Sequence, residues 1–354
     1  MPLKLLLFDD LEKNRQAIVH GLKQALGTKG RVQEFMPAVG GKDTGIYEQR
    51  LMSDLRHEPN ENSDLLVVDS DLSAYDTYNG LSEDVVRRVA DIMAIPECGY
   101  ARGERPEENT AWFQRGEQRE ACIRLSVDKE FASKVVNVAE GFSEIKERLL
   151  AAKKEAKRVS PASVLANILG KPEYSEKISL YASGDQNRLD SLRNLGKDER
   201  EQARRLSCLL GYWLWDSVLR FPGVVLNEVA ASSYLNIRED VFGKDEAVRS
   251  LFKEAVYGGP FAVAKGALWW RGMLDDLIAD SHCSDGREFA SRKLQREIAR
   301  SECYVDPSRP AGFYCVLARK PVSLANSKGL SWFPRGADVA RVSDRKLAEF
   351  GPWL

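Results

Sequence analysis

The sequence predicts a two-part chain: an N-terminal α/β unit on a parallel sheet, then a mainly α-helical part with a small β and loop segment near its end. Three observations carry this. The apolar runs Leu5-Leu6-Leu7-Phe8 and Leu65-Leu66-Val67-Val68 read as buried strands, and each ends on carboxylates. Strand-like and helix-like segments alternate through residue 150, the pattern of a parallel sheet covered on both faces. Beyond the charged run at residues 151–159 the patterning turns helical.

Taken in order, Leu3–Phe8 is the first strand. Leu11–Leu26 follows as a helix, with Ile18, Leu22 and Leu26 four apart and Gly27 as its stop. Val32–Met36 is a short strand, Ile46–Arg56 a helix and Leu65–Val68 the next strand. Ser82 caps a helix that runs to Met93 and presents Val85, Val86, Val89 and Met93 as its apolar face. Cys98–Ala101 and Ala121–Leu125 complete the strands, and Phe131–Leu150 closes the unit as an amphipathic helix. Residues 1–150 thus form the first domain, residues 151–160 a charged linker ending at Ser160-Pro161, and residues 161–354 the second domain. In the second, helices are expected over Glu201–Phe221, stopped by Pro222-Gly223, and over Val225–Leu235, Asp245–Tyr257, Ala267–Ala279 and Arg287–Arg300. Gly312–Leu317 reads as a strand, Ser331–Gly336 as a loop and Arg345–Phe350 as a terminal helical turn.

Composition bounds the class. At 354 residues the length favours about two domains. No apolar stretch approaches the ~18 residues of a membrane span. The 6 cysteines are scattered rather than paired, which suits a reducing compartment and a cytoplasmic location. A net charge of −1 conceals −7 over residues 1–150 and +6 over residues 151–354. The acidic front fits a cation site, whereas the dispersed basic excess behind it points only weakly to an acidic partner.

The chemistry sits at the strand ends. In a doubly wound sheet, groups at the carboxyl edge converge on one crevice. Asp9 and Asp10 end the first strand, and Asp69 ends the strand at Leu65–Val68 with Asp71 two residues on. Such carboxylates suit Mg²⁺, which takes hard oxygen ligands. Sharing one ion requires them to lie within about 4–5 Å of each other. One carboxylate beside that ion can act as a nucleophile toward a phosphoryl donor.

On these residues the front of the chain resembles the receiver domain of two-component response regulators. The resemblance spans residues 3–150, about 40% of the chain. It rests on the strand and helix alternation, on Asp9-Asp10 as the acid pair after the first strand, and on Asp69 as the phosphoacceptor. It implies a flavodoxin-like sheet, Mg²⁺ held by Asp9, Asp10 and Asp69, and phosphorylation of Asp69 by a histidine-kinase-like ATPase. It also implies control of an output domain or protein effector, by association in a stress or phage-defence system. Asp71 adds a carboxylate to the metal set at a position where receivers supply a backbone carbonyl. Receivers carry Ser or Thr at the end of the fourth strand, and residues 98–103 contain neither. Their lysine after the fifth strand has Lys129 as its nearest counterpart, a few residues late. These departures keep a phosphorylation-independent scaffold as the alternative. A further alternative takes Asp69-Ser70-Asp71 as the DxD of a Toprim-type nuclease.

The second domain supplies weaker signals. Val225–Ile237 resembles the first helix of a helix-turn-helix, but the next helix starts too late and carries Asp245, Glu246 and Glu254, so DNA binding is not favoured. Trp213, Trp215, Trp269, Trp270 and Trp332 are expected to pack the core. Gly258-Gly259-Pro260 lacks the residues of a phosphate loop. His282, Cys283, Cys303 and Cys315 fit no zinc spacing, and three histidines leave little material for a hydrolase triad.

Overall fold

Five strands make the first sheet: β1 (Leu3–Phe8), β2 (Gly30–Glu34), β3 (Leu65–Asp69), β4 (Glu97–Ala101) and β5 (Ile123–Ser126). The computed structural model describes residues 2–36, 47–57, 60, 62–72, 82–101, 123–155, 161–182 and 199–350. Every pairing in the sheet is parallel, and the order is β2-β1-β3-β4-β5. That order, in which the chain reverses direction between β1 and β3, is the one used by doubly wound flavodoxin-like sheets. The central strands are buried throughout, which is why they read as unbroken apolar runs instead of an alternation.

Helices cover both faces. On one face α1 (Glu12–Leu26) lies beside α4 (Phe131–Glu155), and on the other α2 (Tyr47–Arg56) lies beside α3 (Glu83–Ile92). Leu6 and Phe8 of β1 and Leu66 and Val68 of β3 pack with Leu51 and Leu55 of α2 and Val86, Val89 and Ala90 of α3. The period-two strand pattern and the 3.6-residue helix pattern thus meet in one core. Ser82 caps α3 as its sequence suggests, accepting from the Val85 N–H. The strand expected over Val32–Met36 begins two residues earlier, at Gly30, because β2 follows β1 in register from Leu3↔Gly30. Ile46 and Ala121, expected to open a helix and a strand, lie outside the described residues.

The charged run continues α4 to Glu155, and residues 156–160, the rest of the expected linker, lie outside the described residues. The chain forms two compact units, and a later segment belongs to the first. This is α7 (Glu199–Trp213), whose residues up to Tyr212 pack on it. Arg205 Nη2 donates to the Ile92 carbonyl at the end of α3 (3.2 Å), the usual role of a cation at a helix C-terminus. The Tyr212 ring meets Phe142 of α4 edge-on at 5.3 Å.

The second unit contains α5 (Pro161–Ile168), α6 (Ser175–Ala182) and the chain from Trp213 onward. After α7 the helix widens into a π turn at Leu214–Val218 and ends before Pro222. Gly223 has no room for a side chain: a Cβ there would stand 1.9 Å from the Gly336 carbonyl oxygen and 2.2 Å from the Tyr181 hydroxyl.

Two of the expected helices begin as strands. Val225–Asn227 is β6 and Leu268–Trp270 is β7, paired antiparallel with Leu226 opposite Trp269. Consecutive apolar β-branched and aromatic residues favour a buried extended strand, and Asn227 then caps the short helix Glu228–Tyr234 by accepting from Ala230 N–H. That helix has only 7 residues, so the full-length first helix of a helix-turn-helix is absent from Val225–Ile237. Asp245–Tyr257 gives an α-helix only over Glu246–Leu251, followed by a 3-10 turn at Lys253–Ala255, and Arg287–Arg300 gives one only over Gly286–Leu294, where Gln295 adopts a left-handed conformation and ends it. Trp269 is fully buried against Phe242. The end of the chain holds more sheet than expected: β8 (Phe313–Cys315), β9 (Lys320–Val322), β10 (Ser327–Lys328) and β11 (Ala340–Ser343) join in the order β10-β11-β8-β9. A helix over Asp344–Phe350 follows. Among the described residues no helix is long and apolar enough to cross a membrane.

Candidate metal centre

The register of the sheet assembles the site. Phe8 of β1 pairs with Val68 of β3, so the next residue on each strand, Asp9 and Asp69, leaves the carboxyl edge side by side. Asp10 follows immediately, before α1 turns the chain away. One carboxylate oxygen from each of Asp9, Asp10 and Asp69 lies within 4.8 Å of the others. All three residues are buried, at 0%, 1% and 7% exposure. Asp10 Oδ1 is itself shielded from solvent. Among the described residues no other group of three potential ligands of this kind occurs.

Neighbouring groups orient the acids. Asp9 Oδ1 accepts from the Leu11 N–H at 2.8 Å, which turns the chain into α1. Asp9 Oδ2 accepts from the Tyr100 hydroxyl at 2.5 Å. Tyr100 stands near the end of β4, opposite Asp69 in register, and its ring is held edge-on by Phe131 of α4 at 5.4 Å. Arg15, buried in α1, donates from Nη1 to the Asp9 carbonyl at 2.9 Å and from Nε to Glu34 of β2 at 2.7 Å. The backbone at the tip of β1 is therefore tied to both α1 and β2.

The donor set is wholly carboxylate oxygen, the hard chemistry that Mg²⁺ or Ca²⁺ prefers over zinc or copper. At about 2.1 Å per bond, two oxygens across a Mg²⁺ span about 4.2 Å, so small side-chain rotations bring this group to coordination distance. Three carboxylates held this close repel one another strongly unless a cation neutralises them.

Of the four acids expected in the metal set, the structure brings three together. Asp71 is exposed and stands outside the group, while its backbone N–H donates to Asp69 Oδ1 at 3.2 Å. A DxD reading would need both Asp69 and Asp71 at the ion. Lys129 lies on the exposed turn between β5 and α4 and forms no ion pair with the acids; the neighbouring Lys134 instead bridges Asp128 at 2.7 Å. Ala101, without a hydroxyl, ends β4.

Tyr100 and Arg15 are the residues that sequence reasoning missed. Arg15 falls on the buried stripe of α1 with Ile18, Val19, Leu22 and Leu26, and a charge within an apolar stripe is a signal for a specific partner. Tyr100 offered a weaker signal: an aromatic with a polar tip near the carboxyl end of a buried strand. No protein-family model, curated protein or solved structure matches the chain.

Proposed function

We propose that the first unit is a receiver-like signalling module that binds Mg²⁺ through Asp9, Asp10 and Asp69 and accepts a phosphoryl group on Asp69. The single observation that carries this reading is the buried trio of carboxylates at the carboxyl edge of a parallel sheet ordered β2-β1-β3-β4-β5. Bound there, Mg²⁺ would supply charge neutralisation for the acids and for an incoming phosphoryl group. An Asp69 carboxylate oxygen attacks the phosphorus of a phosphohistidine, an O–P bond forms, the donor N–P bond breaks, and the imidazole leaves with its electron pair and takes up a proton. Tyr100 and the Leu11 N–H orient Asp9, and the Asp71 N–H orients Asp69. The donor is a histidine-kinase-like ATPase, and the remainder of the chain is the output.

A phosphorylation-independent scaffold is the second reading. Two observations favour it: Lys129 is exposed and forms no ion pair with the acids, and the hydroxyl on β4 belongs to Tyr100 and is engaged by Asp9. Treatment with acetyl phosphate and Mg²⁺, followed by intact mass measurement, separates the two. The first reading predicts one added phosphoryl group on the wild type and none on Asp69→Asn. An unmodified wild type that still binds Mg²⁺ supports the scaffold.

A further inference from the structure

A second group of charges lies at the other end of β4 and plays no part in the acid cluster. Glu97, the first residue of the strand, is 3% exposed, and its Oε1 is buried and makes no hydrogen bond among the described residues. Its nearest cation is Arg87 of α3, with Nε 3.7 Å from Oε2, too long for a hydrogen bond. Arg87 is already engaged at the head of α3, where Nη2 meets Glu83 at 3.1 Å and Nη1 meets Asp84 at 3.3 Å. Arg124 of β5 pairs with Glu83 at 2.9 Å. From α7, the Tyr212 hydroxyl accepts the Glu97 N–H at 2.6 Å and donates to the Glu97 carbonyl at 3.2 Å.

Among the described residues, the groups facing Glu97 are therefore Glu83, Asp84 and Arg87 from α3, Arg124 from β5 and Tyr212 from α7. When Glu97 is ionised, the described groups set two cations, Arg87 and Arg124, against three carboxylates, Glu83, Asp84 and Glu97. Burial is the largest influence on its proton, and with Arg87 partly opposing, it raises the carboxyl to about 7.

We propose that Glu97 is a proton-operated latch joining α3 to β4. Neutral, it leaves Arg87 paired with Glu83 and Asp84, and the first turn of α3 is held. Ionised, its proton passes to solvent and it draws Arg87 inward, so the Glu83 and Asp84 pairs weaken. The backbone of the same residue holds Tyr212, so the change also reaches α7. This device stands apart from the metal and phosphoryl reading and operates whether or not that reading holds.

The test uses the full chain labelled with ¹³C at glutamate carboxyls and titrated between about pH 5 and pH 9. The Glu97 resonance, assigned by its loss in Glu97→Gln, is expected to titrate near 7. Amide-exchange protection of residues 83–87, corrected for intrinsic rates, falls over the same interval in the wild type and stays flat in Glu97→Gln. A midpoint near the ordinary 4.5, or wild-type protection that matches the variant at every pH, overturns the proposal. Arg87→Gln provides a second check if Glu97→Gln does not fold. Loss of the cation that favours the ionised form moves the Glu97 midpoint upward, and an unmoved midpoint also overturns the latch.

Discussion

Replacing Asp69 by Asn should stabilise the ion-free protein while abolishing its response to Mg²⁺. One carboxylate oxygen from each of Asp9, Asp10 and Asp69 lies within 4.8 Å of the others. At that distance two unit charges repel by about 3.5 kcal/mol at an effective dielectric of about 20, and by about 0.9 kcal/mol at that of water. The substitution removes two of the three pairs. The repulsion relieved therefore falls between about 2 and about 7 kcal/mol, and Asp69 at 7% exposure places it inside that bracket rather than at the screened end. The new amide oxygen can still accept the Asp71 N–H, so the backbone has no reason to move. Thermal unfolding in a chelator, followed by circular dichroism, measures the effect. At roughly 2–4 °C per kcal/mol, the variant should melt at least about 4 °C above the wild type. Mg²⁺ at a hundredfold excess over its Kd should stabilise the wild type by about 2.7 kcal/mol and leave the variant unchanged. A variant less stable than the wild type in chelator, or equally shifted by Mg²⁺, would refute the reasoning.

Three other substitutions probe the surrounding structure. Tyr100→Phe removes a hydrogen bond to a charged acceptor and should lower stability in chelator by about 1.5–3 kcal/mol, read by urea unfolding; a neutral result would mean that the hydroxyl does not support Asp9. For Glu97, the native carboxyl at about 7 exceeds its ordinary 4.5, so the native state holds the proton more tightly than the unfolded chain. Its contribution is complete below about pH 4.5 and is lost as pH rises through about 7, amounting to about 3 kcal/mol. Glu97→Gln should accordingly be more stable than the wild type at pH 8 and show a flatter pH profile, checked by denaturant unfolding across that range. Gly211→Ala places a methyl 2.3 Å from Phe142 Cε1, and Phe142 is itself 2% exposed. Overpacking of about 1–3 kcal/mol should outweigh the gain in helix propensity, and a stabilised variant would show that α7 does not press on α4.

The sheet of the first unit was legible because its signals are local. Leu5–Phe8 and Leu65–Val68 are apolar on both faces, and the acids at their ends mark the carboxyl edge. Asp9, Asp10 and Asp69 could be placed together for the same reason, since parallel pairing of adjacent strands fixes where their ends meet. Tyr100 was harder to see, because its hydroxyl reaches across β3 to β1 and nothing in Cys98–Ala101 encodes that distance. The return of α7 to the first unit was also hidden: Arg205 and Tyr212 act on Ile92 and Glu97, more than a hundred residues away in sequence. In the second unit, Val225–Asn227 and Leu268–Trp270 are three-residue strands too short to show a period. Each is extended because the other pairs with it, a tertiary effect that overrides the helical pattern of the flanking residues.

Mn²⁺ binding to the full chain, measured by electron paramagnetic resonance as a stand-in for Mg²⁺, tests most directly whether the three acids share one ion. The account predicts a single site per chain that Mg²⁺ competes away and that is lost in both Asp10→Asn and Asp69→Asn. Binding that survives both substitutions, or no binding in the wild type, would contradict it.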